Sequence, residues 1–125
     1  MYLYHELGRI GEDIAAKYLV NSNYEIIERN FRCKQGEIDI IARDKNELVF
    51  IEVKTRQNNQ YGFPEEAITP AKIRRIVYAA DAYIRMHNLS LDVRFDVMSL
   101  LQRPDGYEIE QIEDAFFPQI GRAHV

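Results

Sequence analysis

The chain contains no tryptophan and a single cysteine, Cys33, among its 125 residues. One cysteine cannot close an internal disulfide, which fits a reducing compartment and equally a disulfide-free exported protein. Without tryptophan the chain lacks the broad ring on which sugars commonly stack, and this counts against carbohydrate chemistry. The histidines are scattered at His5, His87 and His124, so with Cys33 alone no zinc site is suggested. A long uncharged apolar run is missing as well. Met1–Val20 carries Glu6, Arg9, Glu12, Asp13 and Lys17, which argues against a signal peptide or a membrane span. The expectation is a cytoplasmic protein with no membrane partner. No repeat, low-complexity tract or linker interrupts the sequence, and its length suits a single domain over 1–125.

Basic charge is also in short supply. The formal net charge is −4, which does not advertise a nucleic-acid binder. Its distribution matters more than its sum. Asp105, Glu108, Glu110, Glu113 and Asp114 fall in one stretch without a base, whereas residues 1–104 hold 15 acids and 15 bases. The acidity therefore belongs to the C-terminal segment from about 105, and a local basic face elsewhere is compatible with it. A hydrophobic content of 46% with 29% charged residues places the whole among folded globular chains.

Periodicity supplies the elements. Glu6–Asn21 reads as a helix with Leu7, Ile10, Ile14 and Tyr18 along one face, and Asn23 ends it. Tyr24–Phe31 reads as a strand. After Gly36, Ile38, Ile40 and Ala42 alternate with Glu37, Asp39 and Ile41; in Glu47–Arg56, Val49, Ile51 and Val53 alternate with Leu48, Phe50, Glu52 and Lys54. The turn-like Asp44-Lys45-Asn46 joins the two as a hairpin. Gln57–Glu66 reads as a surface loop. Thr69-Pro70 is a helix start, a capping hydroxyl followed by proline at the first helical position. That helix runs to about Asn88, burying Ile73, Ile76, Val77, Ala80 and Ile84. Asp92–Leu101 is a further strand, a turn follows at Arg103–Gly106, and Tyr107–Ile112 is a short last strand. The order is α-β-β-β-α-β, a mixed α/β sheet flanked by helices.

The chemistry lies in the hairpin. Glu52 and Lys54 share one face of their strand, about 6.5–7 Å apart along it. With the turn centred between Lys45 and Asn46, opposed residue numbers sum to 91, so Ala42 faces Val49, Ile40 faces Ile51 and Ile38 faces Val53. Every such pair is apolar, and a one-residue slip would mix the faces. The same register sets Asp39 opposite Glu52 and Glu37 opposite Lys54. Two carboxylates across a strand pair, their side-chain roots about 5 Å apart, repel unless something lies between them. A divalent cation suits best, since Mg²⁺ takes one or two carboxylates and completes its shell with water and phosphate oxygens. Lys54 beside it can hold a phosphate, stabilise charge developing on phosphorus or orient the attacking water. Acting as a base is the harder role, because its pKa would have to fall far below about 10.4. Glu37 is read as the cross-strand partner that steadies Lys54.

Gly36-Glu37-Ile38-Asp39-Ile40-Ile41 followed by Phe50-Ile51-Glu52-Val53-Lys54-Thr55-Arg56 resembles the PD-(D/E)xK nuclease superfamily. More narrowly it is similar to the small bacterial endonuclease-like YraN family, related in turn to archaeal Holliday-junction resolvases. The resemblance runs from Gly8-Arg9-Ile10-Gly11-Glu12 through Arg94-Phe95-Asp96-Val97. It implies a restriction-endonuclease-like α-β-β-β-α-β core, Mg²⁺ (or Mn²⁺) dependence, and DNA as substrate, branched or otherwise non-standard. It assigns Asp39 and Glu52 as metal ligands, the Val53 carbonyl as a further ligand and Lys54 as the catalytic lysine. Glu12 falls where such nucleases carry an acid that reaches the metal through water. By its position alone, about 140° around the helix from Leu7, Glu12 lies off the apolar stripe beside Ala15, Ala16 and Leu19 and reads as surface. Ile38 stands where the motif often has proline, a departure that leaves the ligands untouched. Related resolvases act as dimers, so a homodimer is open to this chain too.

Arg56 and Lys72 adjoin the expected cleft and are candidates for phosphate contacts, while Arg74 and Arg75 read as solvated helix charges. Tyr61-Gly62-Phe63-Pro64 reads as a substrate-facing loop or a rigid turn. Arg94 and Asp96 share a face, and an ion pair accounts for both. Two functions follow: a metal-dependent DNA endonuclease, or a non-catalytic nuclease-fold module that binds DNA structures or a protein. A glycosidase using the paired carboxylates is the weaker third, opposed by Lys54 and the missing tryptophan.

Overall fold

The computed structural model describes residues 2–57 and 68–116, with side chains from residue 8 onward. The elements follow in the order α1 (Tyr2–Asn21), β1 (Glu25–Cys33), β2 (Gly36–Asp44), β3 (Glu47–Arg56), α2 (Pro70–His87), β4 (Asp92–Arg103) and β5 (Gly106–Ile112). The five strands form one sheet in the order β1-β2-β3-β4-β5. The β1–β2, β2–β3 and β4–β5 pairs are antiparallel; β3–β4 is parallel and is bridged by α2. This is the expected mixed α/β core, of the restriction-endonuclease-like kind, with β5 added at one edge. No helix among the described residues is long and apolar enough to cross a membrane. The 58–67 segment, which holds most of the Gln57–Glu66 loop and all of Tyr61–Pro64, lies outside the described residues.

The helices cover opposite faces. Ile76, Val77, Ala80 and Tyr83 of α2 pack on Ile41, Leu48, Phe50 and Phe95, while Ala15 and Leu19 of α1 pack on Ile40, Ala42, Val49 and Ile51. Local chemistry sets α2 as expected. The Thr69 hydroxyl accepts the Lys72 amide at 3.1 Å, Pro70 occupies the first turn, and Asn88 caps the C-terminus in the left-handed conformation.

The α1 face differs from its periodicity. Ile10 is 45% and Tyr18 38% exposed, so these two residues of the stripe face outward, while Ile14 is half-buried against the core. The helix rests instead on its smaller side, with Ala15 and Leu19 fully buried. Gly11 explains the choice: a Cβ there would collide with the Thr55 hydroxyl of β3. Close approach of backbone to sheet is available along the side that carries Gly11 and Ala15.

The hairpin has the expected register over part of its length. Pairing runs from Asp44↔Glu47 through Ala42↔Val49 to Ile40↔Ile51. Beyond that point β2 remains paired with β1 as far as Cys33↔Gly36, and β3 remains paired with β4 as far as Arg56↔Leu101. The sheet therefore forks. The expected Asp39–Glu52 pairing lies just past the last ladder pair and is not formed; Ile38 packs on the α2 side with Phe31, whereas Val53 packs on the α1 side, so the expected Ile38–Val53 pair is not formed either. Asn30, opposite this stretch on β1, has φ 55°, a local twist that turns Phe31 and Ile38 toward α2.

Candidate active site

Asp39 stands at the fork. Its carboxylate reaches across the gap and accepts the Val53 amide at 2.9 Å, a side-chain bond where the ladder would have supplied a backbone carbonyl. Glu52 lies on the same face of β3 and is only 5% exposed. Lys72 in the first turn of α2 places Nζ 3.3 Å from Glu52 Oε2, and Lys54 places its own Nζ 3.9 Å from the same oxygen. Two cations and two carboxylates thus meet at one end of the sheet. Ser99, in register with Lys54, is buried beside them on β4.

The electrostatics follow from burial. Glu52 is pushed up to about 7, first by loss of solvent and then by the charge of Asp39, against the pull of Lys72 and Lys54. Asp39 is likewise raised by burial, opposed by the Val53 amide and by Lys72. Glu12 lies at the margin, raised by burial and by the charge of Asp39, and opposed by Asn30 and Arg29. Its nearest cation is Arg29, 3.8 Å away, which also binds Asp13 at 2.8 Å.

These shifts carry a sign. An acid whose folded-state pKa is raised stabilises the fold fully below its unfolded value of 4.5 and loses that contribution as pH rises through about 7. The metal-free protein is expected to lose about 3 kcal/mol from Glu52 across this interval. Glu52→Gln should therefore unfold at higher urea than wild type at pH 8 and at similar urea at pH 5. Parallel curves at both pH values would rule out the buried, proton-holding carboxylate.

Most of the expected site residues converge. Asp39, Glu52, Lys54 and Lys72 share the fork, Val53 is tied into it through its amide, and Glu12 borders it. Arg56 ends β3 beside Leu101 of β4, with its Nε buried. Glu37 departs from its expected role. It pairs with Arg32 at 3.3 Å, directly across β1–β2, because β2 leaves β3 before Glu37 can oppose Lys54. Lys54 turns toward Glu52 instead. The bond from Lys72 to Glu52 was hidden in the sequence by the 13 residues between β3 and the first helical position of α2. The Thr69-Pro70 start was its one local signal, since it fixes which residue occupies the third helical position.

Among the described residues no group of three or more His, Cys, Asp or Glu side chains converges closely enough to hold an ion. A cation between Asp39 and Glu52 would take its remaining ligands from backbone carbonyl, water and substrate oxygens, the donor set that suits a hard ion.

A forked mixed sheet between two helices, with Asp39 at the fork and Glu52-Val53-Lys54 on the adjoining strand, defines the PD-(D/E)xK nuclease-like class. The profile described as "Uncharacterised protein family UPF0102" matches residues 11–100. The chain belongs to the UPF0102 family, the YraN-like group within that class. It is 47% identical over 117 residues to a UPF0102 protein of Phocaeicola vulgatus, covering 94% of this chain and 97% of that one. A UPF0102 protein of Geobacter sulfurreducens is 51% identical over 112 residues, covering 88% of each. A solved structure of SfsA from Pyrococcus furiosus with Ca²⁺ is far more distant, at 15% identity and a TM-score of 0.35 over 88% of this chain and 63% of that one.

Proposed function

We propose that the protein is a metal-dependent endonuclease that hydrolyses phosphodiester bonds in DNA, with branched or otherwise non-standard structures as its preferred class. The observation that carries this reading is the meeting at the fork of a half-buried Asp39 and a buried Glu52, with Lys54 and Lys72 directed at one Glu52 oxygen. Asp39 and Glu52 would hold Mg²⁺ or Mn²⁺, with the Val53 carbonyl as a further donor. The ion would supply Lewis-acid polarisation of the phosphodiester and a more acidic water at neutral pH. The residues do the rest. The Val53 amide fixes the Asp39 carboxylate, Lys54 offsets the charge that develops on phosphorus, and Glu12 is placed to orient water at the margin. Lys72 is the ion's rival for Glu52; once displaced it is free to meet a substrate phosphate.

One observation favours a second reading, a DNA- or protein-binding module without turnover. Lys54 and Lys72 already compensate Glu52, so the site is electrostatically tolerable without a cation. Calorimetric titration with Mn²⁺ and Mg²⁺ separates the two. Wild type is expected to bind one ion per chain, with the affinity falling at least about tenfold in Asp39→Asn as one of two charged ligands is lost. Unchanged affinity in the variant would move the metal elsewhere, and no binding at all would favour the module.

A further inference from the structure

A second concavity lies beside the fork. It is a cleft of about 320 Å³ between the β1–β2 turn and the first turns of α2, lined by Arg32, Cys33, Gly36, Glu37, Lys72 and Arg75 among others. Gly36 shapes its floor. A Cβ there would come within 2.8 Å of the Arg75 carbonyl oxygen, so only glycine lets the turn sit this close to α2. Three cations border the cleft against one carboxylate; Arg32 is paired with that carboxylate, Glu37, and Lys72 with Glu52, which leaves Arg75 without an ion pair among the described residues. The first turn of α2 contains no acid, and its amide end adds positive potential. Lys72 lines this cleft and also touches Glu52 in the fork, so the two sites share a wall.

Resting on the nuclease reading, we propose that this cleft binds a backbone phosphate of the substrate strand next to the one cut at the fork. Arg75 and Arg32 supply the guanidinium contacts, and Lys72 passes between the two phosphates. A second phosphate site on one side of the fork adds a contact that fixes the direction of the strand. Substrate then has to continue as an intact strand on the cleft side of the cut. Arg75, an ordinary solvated charge by its sequence, becomes a substrate-positioning residue. Arg74, next to it and equally exposed, does not line the cleft.

Cys33 lines the cleft, is part-buried and is the chain's single cysteine, which makes it a built-in reporter. The test follows its alkylation by a small maleimide in the full-length protein, with Mg²⁺ replaced by Ca²⁺ to suppress cleavage, while a fluorescent branched oligonucleotide is titrated by anisotropy. Bound DNA is expected to slow alkylation at least fivefold. Arg75→Gln should abolish that protection and lower the log-log salt slope of binding by roughly 0.7–0.9, the value of one phosphate contact. Arg74→Gln, with the same change of net charge, should keep the protection.

Binding without protection of Cys33, or equal losses in the two variants, overturns the cleft assignment and leaves the nuclease reading intact. Protection that depends on Arg75, in a protein that never cleaves under Mg²⁺, supports the cleft and overturns the nuclease. Inorganic phosphate protecting Cys33 as well as DNA at equal phosphate concentration would make this a free-anion site and overturn the strand assignment. No DNA binding at all overturns both.

Discussion

Asp39→Asn is expected to lower Mg²⁺-dependent cleavage by about 10³-fold while the unfolding free energy at pH 8 stays level or rises. The substitution separates the two things this side chain does. The amide oxygen of Asn can still accept the Val53 N–H, so the bond that spans the fork at 2.9 Å survives. The negative charge does not survive, and with it go the proposed metal ligand and the repulsion that helps raise Glu52. Asp39→Ala is the informative companion. It removes the same charge but leaves the Val53 amide without its acceptor, at a cost of about 1–3 kcal/mol that offsets the relief of repulsion. Both variants should be equally inactive, with Ala the less stable of the two in urea. Asn protein that cleaves at the wild-type rate would remove Asp39 from the chemistry, and an Ala variant as stable as Asn would remove the fork-spanning bond from the energetics.

Arg94→Met should cost about 3–5 kcal/mol, the largest single loss expected in the molecule. Arg94 is 5% exposed and Asp96, two residues along β4, is fully buried. The guanidinium donates to both oxygens of Asp96 at 2.9 and 3.0 Å, to the Tyr24 hydroxyl at 2.6 Å and to Glu47 at 2.8 Å. Asp44 lies 3.4 Å from it. Gln111 and the Asp114 amide add donors to Asp96, which ties the end of β5 into the cluster. Burial alone would lower the pKa of Arg94; hydrogen bonding and charge from Asp96 outweigh it and hold the group cationic. Removing Arg94 strands the buried Asp96 carboxylate beside Asp44, Glu47 and Glu113. Lysine cannot stand in, since it lacks the planar fork that meets both Asp96 oxygens. Chemical denaturation of Arg94→Met and of Arg94→Met/Asp96→Asn provides the check, the second substitution recovering part of the loss. A single variant within 1 kcal/mol of wild type would show that the network is ornamental.

Much of this was legible where local rules act alone. The register of β2 against β3 followed from matching apolar positions, and the start of α2 from Thr69-Pro70, because neither depends on distant residues. Alternation failed where the sheet forks. Ile38 reads as an α1-face residue by period two, but the strand it must pair with has parted from it. Glu37 lost Lys54 for the same reason. The α1 stripe misled at Ile10 and Tyr18 because periodicity weighs side-chain size, whereas packing here set Gly11, Ala15 and Leu19 against the sheet. Arg94 and Asp96 looked like a simple pair, as five of the groups that complete their network come from β1, β2, β3, β5 and the segment beyond it or just precede these strands. Three-dimensional convergence of that kind leaves no spacing signal in a single chain.

Strand β4 joins the two ends of the sheet. Arg94 sits beside Val49 at one end, and Val97 and Ser99 flank Glu52 and Lys54 at the other. The fork end holds Asp39 and Glu52 largely out of water, which weakens the fold; the opposite end, about 10 Å away along the strand and on the other face, is where the fold is locked. Substitutions at the locked end can therefore change stability without touching the side chains at the fork, and the lock is a reserve of stability on which changes at the fork can draw.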